Sequence, residues 1–127
     1  MRLAQGTIVS GKIRTYRDLE IWKLGIEIVK LVYRLTSRFP RQELYGLVSQ
    51  MRRSAVSVPS NIAEGFRRQY AKEYRQFLSV SLGSCAELET QATIAEELGY
   101  VSVSEESQLL EELDHECRMI SNLSKTV

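Results

Sequence analysis

The sequence predicts an all-α fold, an antiparallel up-down-up-down four-helix bundle behind a flexible N-terminal extension. Apolar residues recur at alternating steps of four and three through successive segments, which sets them on one face of each helix. Proline is nearly absent, with Pro40 between helical patterns and Pro59 inside one, and glycines mostly mark boundaries or close contacts. The links are short, and short links join sequential helices as antiparallel neighbours.

Residues 1–15, MRLAQGTIVSGKIRT, lack sustained periodicity and read as a basic extension with a transient strand tendency at residues 7–9, leaving 16–127 as the bundle domain. A first helix is expected from Asp18, a good N-cap side chain, to about residue 38, where Pro40 stops it. It carries two apolar seams, Leu19/Trp22/Ile26/Val29/Tyr33 and Ile21/Gly25/Ile28/Val32/Leu35. That is more than one neighbour can cover, so this helix is either central or in contact with another subunit.

The second helix is expected over about 44–68. Leu44, Val48, Met51, Ala55, Val58 and Ile62 form its apolar seam, and Gln50, Ser54, Ser57, Asn61, Glu64 and Arg68 form a polar one. Pro59 removes a backbone donor and crowds the carbonyl four residues earlier, which predicts a kink. Ser57, Ser60 and Asn61 are placed to hydrogen-bond the freed carbonyl or its neighbours. A third helix runs from about Ala71 to Leu98, with Gly99 as its stop and Tyr74, Leu78, Ser81, Cys85, Leu88, Ala92 and Ala95 as its seam. The fourth is expected to start after a capping Ser104, with Glu105 and Glu106 complementing the helix dipole and Leu109, Leu110, Leu113, Cys117, Ile120 and Leu123 facing the core.

A chain of 127 residues, 43% of them apolar, is long enough to bury a core without metals or disulfides. It has no apolar run of about eighteen residues and no leader with a small-residue cleavage site, so the cytoplasm is the expected compartment. Cys85 and Cys117 occupy apolar helical positions, without metal-ligand spacing. The net charge of +1 hides a partition. Residues 1–75 hold 15 Lys/Arg against 6 Asp/Glu, and residues 76–127 hold 2 against 10. Such a dipole steers its basic end onto phosphate, or onto the acidic end of another copy.

Catalysis finds little support. His115, the single histidine, lies among Glu112, Asp114 and Glu116 on an expected surface of the fourth helix. Glu112 and His115 have the spacing of a di-iron ligand pair, but such a centre needs the motif twice and no second histidine exists. Neither a base for a serine nucleophile nor a phosphate-cradling glycine loop is present. No enzyme activity, cofactor or metal is therefore expected. The nucleic-acid-binding candidates are Arg52, Arg53, Arg67, Arg68, Lys72 and Arg75, with Tyr70 and Tyr74 among them and Tyr74 assigned to the core. Gln50, Ser54, Ser57, Asn61 and Glu64 are the candidate structural or interface seam. In the competing reading, Arg52 and Arg53 pair with Glu111, Glu112 or Asp114 of a neighbouring copy in a ring scaffold.

The run Gln50-Met51-Arg52-Arg53-Ser54-Ala55, then Ser57-Val58-Pro59-Ser60-Asn61-Ile62-Ala63-Glu64-Gly65-Phe66, resembles the four-helix-bundle proteins encoded in intervening sequences of bacterial 23S ribosomal RNA genes. Asp18-Leu19-Glu20-Ile21-Trp22, Phe39-Pro40, Glu43-Leu44-Tyr45-Gly46-Leu47, Phe77-Leu78, Gly83-Ser84, Glu87-Leu88-Glu89 and Leu98-Gly99-Tyr100 extend the resemblance over residues 16–123. It implies a pentameric ring-forming fold, similar to accessory proteins of diversity-generating retroelements, which associate with nucleic acid and a reverse transcriptase. By that resemblance the expected partners are further copies of the chain, RNA or DNA, and a nucleic-acid enzyme. Residues 1–15 depart from the family pattern, which leaves Lys12 and Arg14 without a role carried over from it.

Overall fold

The computed structural model describes residues 12–127. Residues 1–11, with the strand tendency at 7–9, lie outside the described residues. Ile13 packs against the core, and Thr15 caps a 3-10 turn at Tyr16–Asp18. Four helices follow: α1 (Glu20–Thr36), α2 (Leu47–Phe66), α3 (Ala71–Glu97) and α4 (Val103–Thr126), with a second 3-10 turn at Arg41–Glu43. Among the described residues there is no strand.

Side-chain chemistry explains where the helix starts differ from expectation. Asp18 does not cap α1. Its carboxylate turns back to accept from the backbone N–H groups of Arg14 (2.8 Å) and Thr15 (3.1 Å), in a reciprocal capping box with Thr15. Those two donors hold the Asp18 carboxyl below its usual range. Ser102, not Ser104, caps α4: its hydroxyl accepts from Glu105 N (3.0 Å), and its N–H donates to Glu105 Oε1 (2.9 Å).

In α2 the helix begins three residues later than expected, and Leu44 is 46% exposed rather than part of the seam. The carboxylate of Glu43 is the reason. Its Oε1 accepts from the backbone N–H of Leu47 (3.2 Å), an orphan donor at the helix start, and a Cβ at Gly46 would meet that same oxygen at 2.9 Å. Its Oε2 accepts from the Tyr100 hydroxyl (2.9 Å), whose ring lies 5.2 Å from that of Phe39. One side chain thus ties the α1–α2 link to the α3–α4 link. Glu43→Ala is expected to cost about 1 kcal/mol through loss of the cap alone, read as a lower urea midpoint with unchanged slope. Glu43→Gln should retain most of that stability.

Each helix packs on two others, α1 on α2 and α4, and α3 on α2 and α4. Contacts within each pair run in opposing chain directions. Along α1 and α2, Thr36 meets Arg52 while Tyr16, just before α1, meets Arg67. Ser57 meets Ser84 between α2 and α3, while Gly65 faces Tyr74 and Phe77. The α1–α4 pair brings Arg38 to Glu105 and Gly25 to Glu116, and the α3–α4 pair brings Thr93 to Glu106 and Cys85 to Cys117. Neighbouring helices are therefore antiparallel, as short links require.

The seam predicted for α3 is buried at every position from Tyr74 to Ala95, and that of α2 from Val48 to Ile62. On α1 only the Ile21/Gly25/Ile28/Val32/Leu35 seam is fully inside; of the other, Leu19 is buried, Trp22, Ile26 and Val29 are half-buried, and Tyr33 is exposed. α2 continues through Pro59, which is itself buried. Nearby carbonyls gain lateral donors: Asn61 Nδ2 donates to Ser57 O (2.8 Å), and Ser81 Oγ of α3 donates to Val58 O (2.9 Å). Ser60, expected to share this task, is exposed.

Candidate nucleic-acid interface

The six cations singled out from the sequence form two groups. Arg67, Arg68, Lys72 and Arg75 flank the α2–α3 turn. Arg52 and Arg53 lie fifteen and fourteen residues before Arg67, or roughly 21–22 Å along the helix.

At the turn, a cluster assembles from the start of α1 and the end of α2. The Arg67 guanidinium carbon sits 5.6 Å from the Tyr16 ring centroid, and that of Arg17 sits 5.5 Å from the same ring and 5.2 Å from Trp22. The two rings are tilted against each other at 5.4 Å. Cation–π contact fixes a guanidinium while leaving its N–H groups free to donate outward. Beside it, Lys72 is exposed and Tyr70 is 62% exposed. Tyr74 is core, as expected, edge-on to Phe66 at 6.2 Å.

Two other members of the group donate hydrogen bonds within the protein. Arg68 donates to Glu64 Oε2 (2.8 Å) and lies 4.8 Å from the Phe77 ring, and Arg75 Nη1 donates to the main-chain oxygen of Val127 (2.8 Å). An exposed ion pair one helical turn apart is worth about 0.5 kcal/mol at most, so a phosphate competes with Glu64 at little cost.

Arg52 has a different role. Its Nε donates to Thr36 Oγ1 (3.0 Å), and its guanidinium lies 4.4 Å from the Tyr33 ring, so the side chain bridges α2 to the end of α1. Thr36 is held in turn by donating to Val32 O at 2.7 Å. Arg52 and Arg53 border a groove of about 580 Å³ whose wall is mainly apolar, from Tyr33, Leu44, Tyr45, Val48 and Val56. Tyr45 is 92% exposed at its edge.

The polar seam of α2 divides along its length. Its middle is built into the α2–α3 contact: Ser54 is buried, Ser57 Oγ and Ser84 Oγ share a hydrogen bond of 2.7 Å, and Asn61 Nδ2 donates to Ser57 Oγ (2.9 Å). Its ends, Gln50, Glu64 and Arg68, are exposed.

On α4, Glu116 and Cys117 stand differently from the sequence expectation. Glu116, grouped with the surface acids around His115, is 0% exposed in the bundle interior. Neither carboxyl oxygen has a hydrogen-bond partner, and a Cβ at Gly25 would meet its Oε2 at 3.2 Å. Burial pushes its pKa up to about 9. Next to it, Cys117 shares a hydrogen bond with Cys85 across α3 and α4, which with burial raises the Cys85 thiol. His115 is exposed, as expected. The nine other acids after residue 75 lie on the second half of α3 and on α4, away from the basic turn between α2 and α3.

Among known proteins, one similar solved structure is a protein of unknown function from the S23 ribosomal protein family of Bacteroides thetaiotaomicron VPI-5482. It is 19% identical, with 84% of this chain and 95% of that chain covered and a TM-score of 0.70, which shows a shared fold. The curated proteins contain no match. The family model described as 23S rRNA-intervening sequence protein matches residues 17–122, from the first 3-10 turn to near the end of α4. That match holds α1, α2 and α3 whole and α4 as far as residue 122, and the chain belongs to the 23S rRNA-intervening sequence protein family.

Proposed function

We propose that this chain is a non-enzymatic, oligomeric module of the cytoplasm that binds the phosphates of RNA or DNA through the basic surface of α2 and the start of α3. The observation that carries the reading is the Arg17–Tyr16–Arg67 cluster beside Arg68, Lys72 and the exposed Tyr70. Cations held on aromatic faces next to an open tyrosine suit a single strand, whose phosphates pair with the cations and whose bases stack on the ring. A homopentamer, implied by the family resemblance, repeats this surface around an axis and turns weak contacts into avidity. A nucleic-acid enzyme is a further partner in this reading, and no cofactor enters it.

The test is fluorescence anisotropy of a labelled single-stranded RNA as salt is raised. Arg67→Glu with Lys72→Glu should weaken binding at least about tenfold at low salt and flatten the salt dependence, with helicity and mass unchanged. Equal affinity in that variant would sink the assignment. Arg52→Glu is a poorer probe, because it also removes the bridge to Thr36 and Tyr33.

A second reading is favoured by the apolar groove beside Arg52 and Arg53, with Tyr45 standing almost fully in solvent. There the chain is a ring scaffold, and the acidic face of α4 from one copy, with Glu111, Glu112 and Asp114, meets the two arginines of the next. Assembly that dissolves as salt rises, with no nucleic acid bound at any salt, would favour this scaffold.

A further inference from the structure

We propose that the polar cleft between α2 and α3 is a binding site for a single unpaired guanine base, an inference that rests on the nucleic-acid reading for the strand that presents the base. The cleft has a volume of about 280 Å³ and is lined by Gln50, Arg53, Ser54 and Ser57 of α2 and by Glu87 and Gln91 of α3. The lining forms rails one helical turn apart: Gln50 with Ser54, Arg53 with Ser57, and Glu87 with Gln91.

Three observations define what the cleft can hold. Gln91 Oε1 is enclosed and has no hydrogen-bond partner, and such a group calls for an occupant that donates to it. Arg53 and Glu87 carry opposite charges on the same cleft, yet neither has an ion-pair partner among the described residues. Ser57 is fixed from below by Ser84 and Asn61, so one wall is organised in advance.

The chemistry selects the base. Guanine places two donors side by side, N1–H and the N2 amino group, which suit the Glu87 carboxylate, and the second amino hydrogen can reach the Gln91 oxygen. Its O6 and N7 accept from a guanidinium, here that of Arg53. Adenine and cytosine would turn a ring-nitrogen acceptor toward the carboxylate, and uracil has a single ring donor. Pockets that enclose a free small molecule start at about 300 Å³. An open cleft below that size suits a base carried by a strand that is held elsewhere through its phosphates.

Saturation-transfer NMR on the full chain, with the four nucleoside monophosphates compared at equal concentration, tests the cleft without a strand. Guanosine monophosphate should give a signal at least about fivefold above the other three, the low end for one good bidentate pair. Glu87→Gln and Gln91→Leu should each erase that difference, and Glu87 is exposed, so its variant keeps the core intact. Equal signals from all four would overturn the proposal.

In parallel, oligouridine and the same strand with one central guanosine are titrated by anisotropy. Preference for the guanosine strand, lost in Glu87→Gln while oligouridine binding persists, is the expected result. Binding of both strands without preference would remove the cleft and leave the phosphate surface standing. Selective signals from guanosine monophosphate without strand binding would instead retain the cleft and remove the reading of the turn.

Discussion

Replacing Glu116 with methionine is expected to raise the thermal midpoint at neutral pH by about 10 °C, a gain of roughly 3 kcal/mol that grows as pH increases. The carboxyl is 0% exposed and unpartnered, and its pKa is pushed from an ordinary 4.5 up to about 9 by burial, with a smaller contribution from Cys117. Below its ordinary value the group is protonated in both states and carries no ionic penalty. Between about 4.5 and about 9 the unfolded chain releases the proton and the folded chain keeps it. Stability then falls by about 1.4 kcal/mol per pH unit until the folded carboxyl also ionises.

Methionine fills similar space without a titrating group, so its stability should lack that slope. Glu116→Gln should also lose the slope but gain less, because an unpartnered amide stays buried. Urea midpoints measured from pH 5 to pH 9 decide the matter. A methionine variant no more stable than the native chain, with the same pH slope, would mean that the carboxyl is hydrated or paired inside the bundle.

Gly65→Val carries the opposite expectation, a loss at the upper end of the roughly 1–3 kcal/mol typical of overpacking. A Cβ at this position would lie 2.8 Å from Phe77 Cβ, 3.0 Å from Tyr74 Cδ1 and 3.3 Å from the backbone oxygen of Tyr74. None of these is the free end of a flexible chain, so α2 and α3 must part near their turn. The cations at that turn move with them, and RNA affinity should fall together with stability. Gly83→Ala is the matched control within α3. Its Cβ would meet nothing within 4 Å, and loss of a helical glycine is expected to stabilise by about 0.5–1 kcal/mol. Equal urea midpoints for the two variants would contradict this account of the α2–α3 contact.

Spacing carried most of the fold. The alternating steps from Tyr74 to Ala95 named a seam that is buried at every position, because a long helix without proline keeps its phase against two neighbours. The same spacing also held the position of Glu116, since Leu109, Leu113, Glu116, Ile120 and Leu123 step 4-3-4-3 and all are buried. Residue type masked it: an acid reads as surface, and Cys117 next door reads as core, yet Cys117 is only partly buried. The first 3-10 turn and α4 start on reciprocal pairs rather than on single capping residues. Thr15 with Asp18 and Ser102 with Glu105 both have the box spacing.

The candidate site was half legible. Arg67, Arg68 and Lys72 stood out as a charge cluster, whereas Arg17 and Tyr16 join them across about fifty residues of sequence. Only the antiparallel pairing of α1 with α2 brings those ends together. The separation of Arg52 from the turn follows from helix rise, since fifteen residues of helix span roughly 22 Å.

The most direct test of the nucleic-acid reading is light scattering on size exclusion, with the 260 to 280 nm absorbance ratio recorded after mixing with single-stranded RNA, at low and then high salt. The reading predicts one oligomer mass at both salts, with RNA co-eluting at low salt and stripped at high salt. An oligomer that elutes free of RNA at low salt would contradict it.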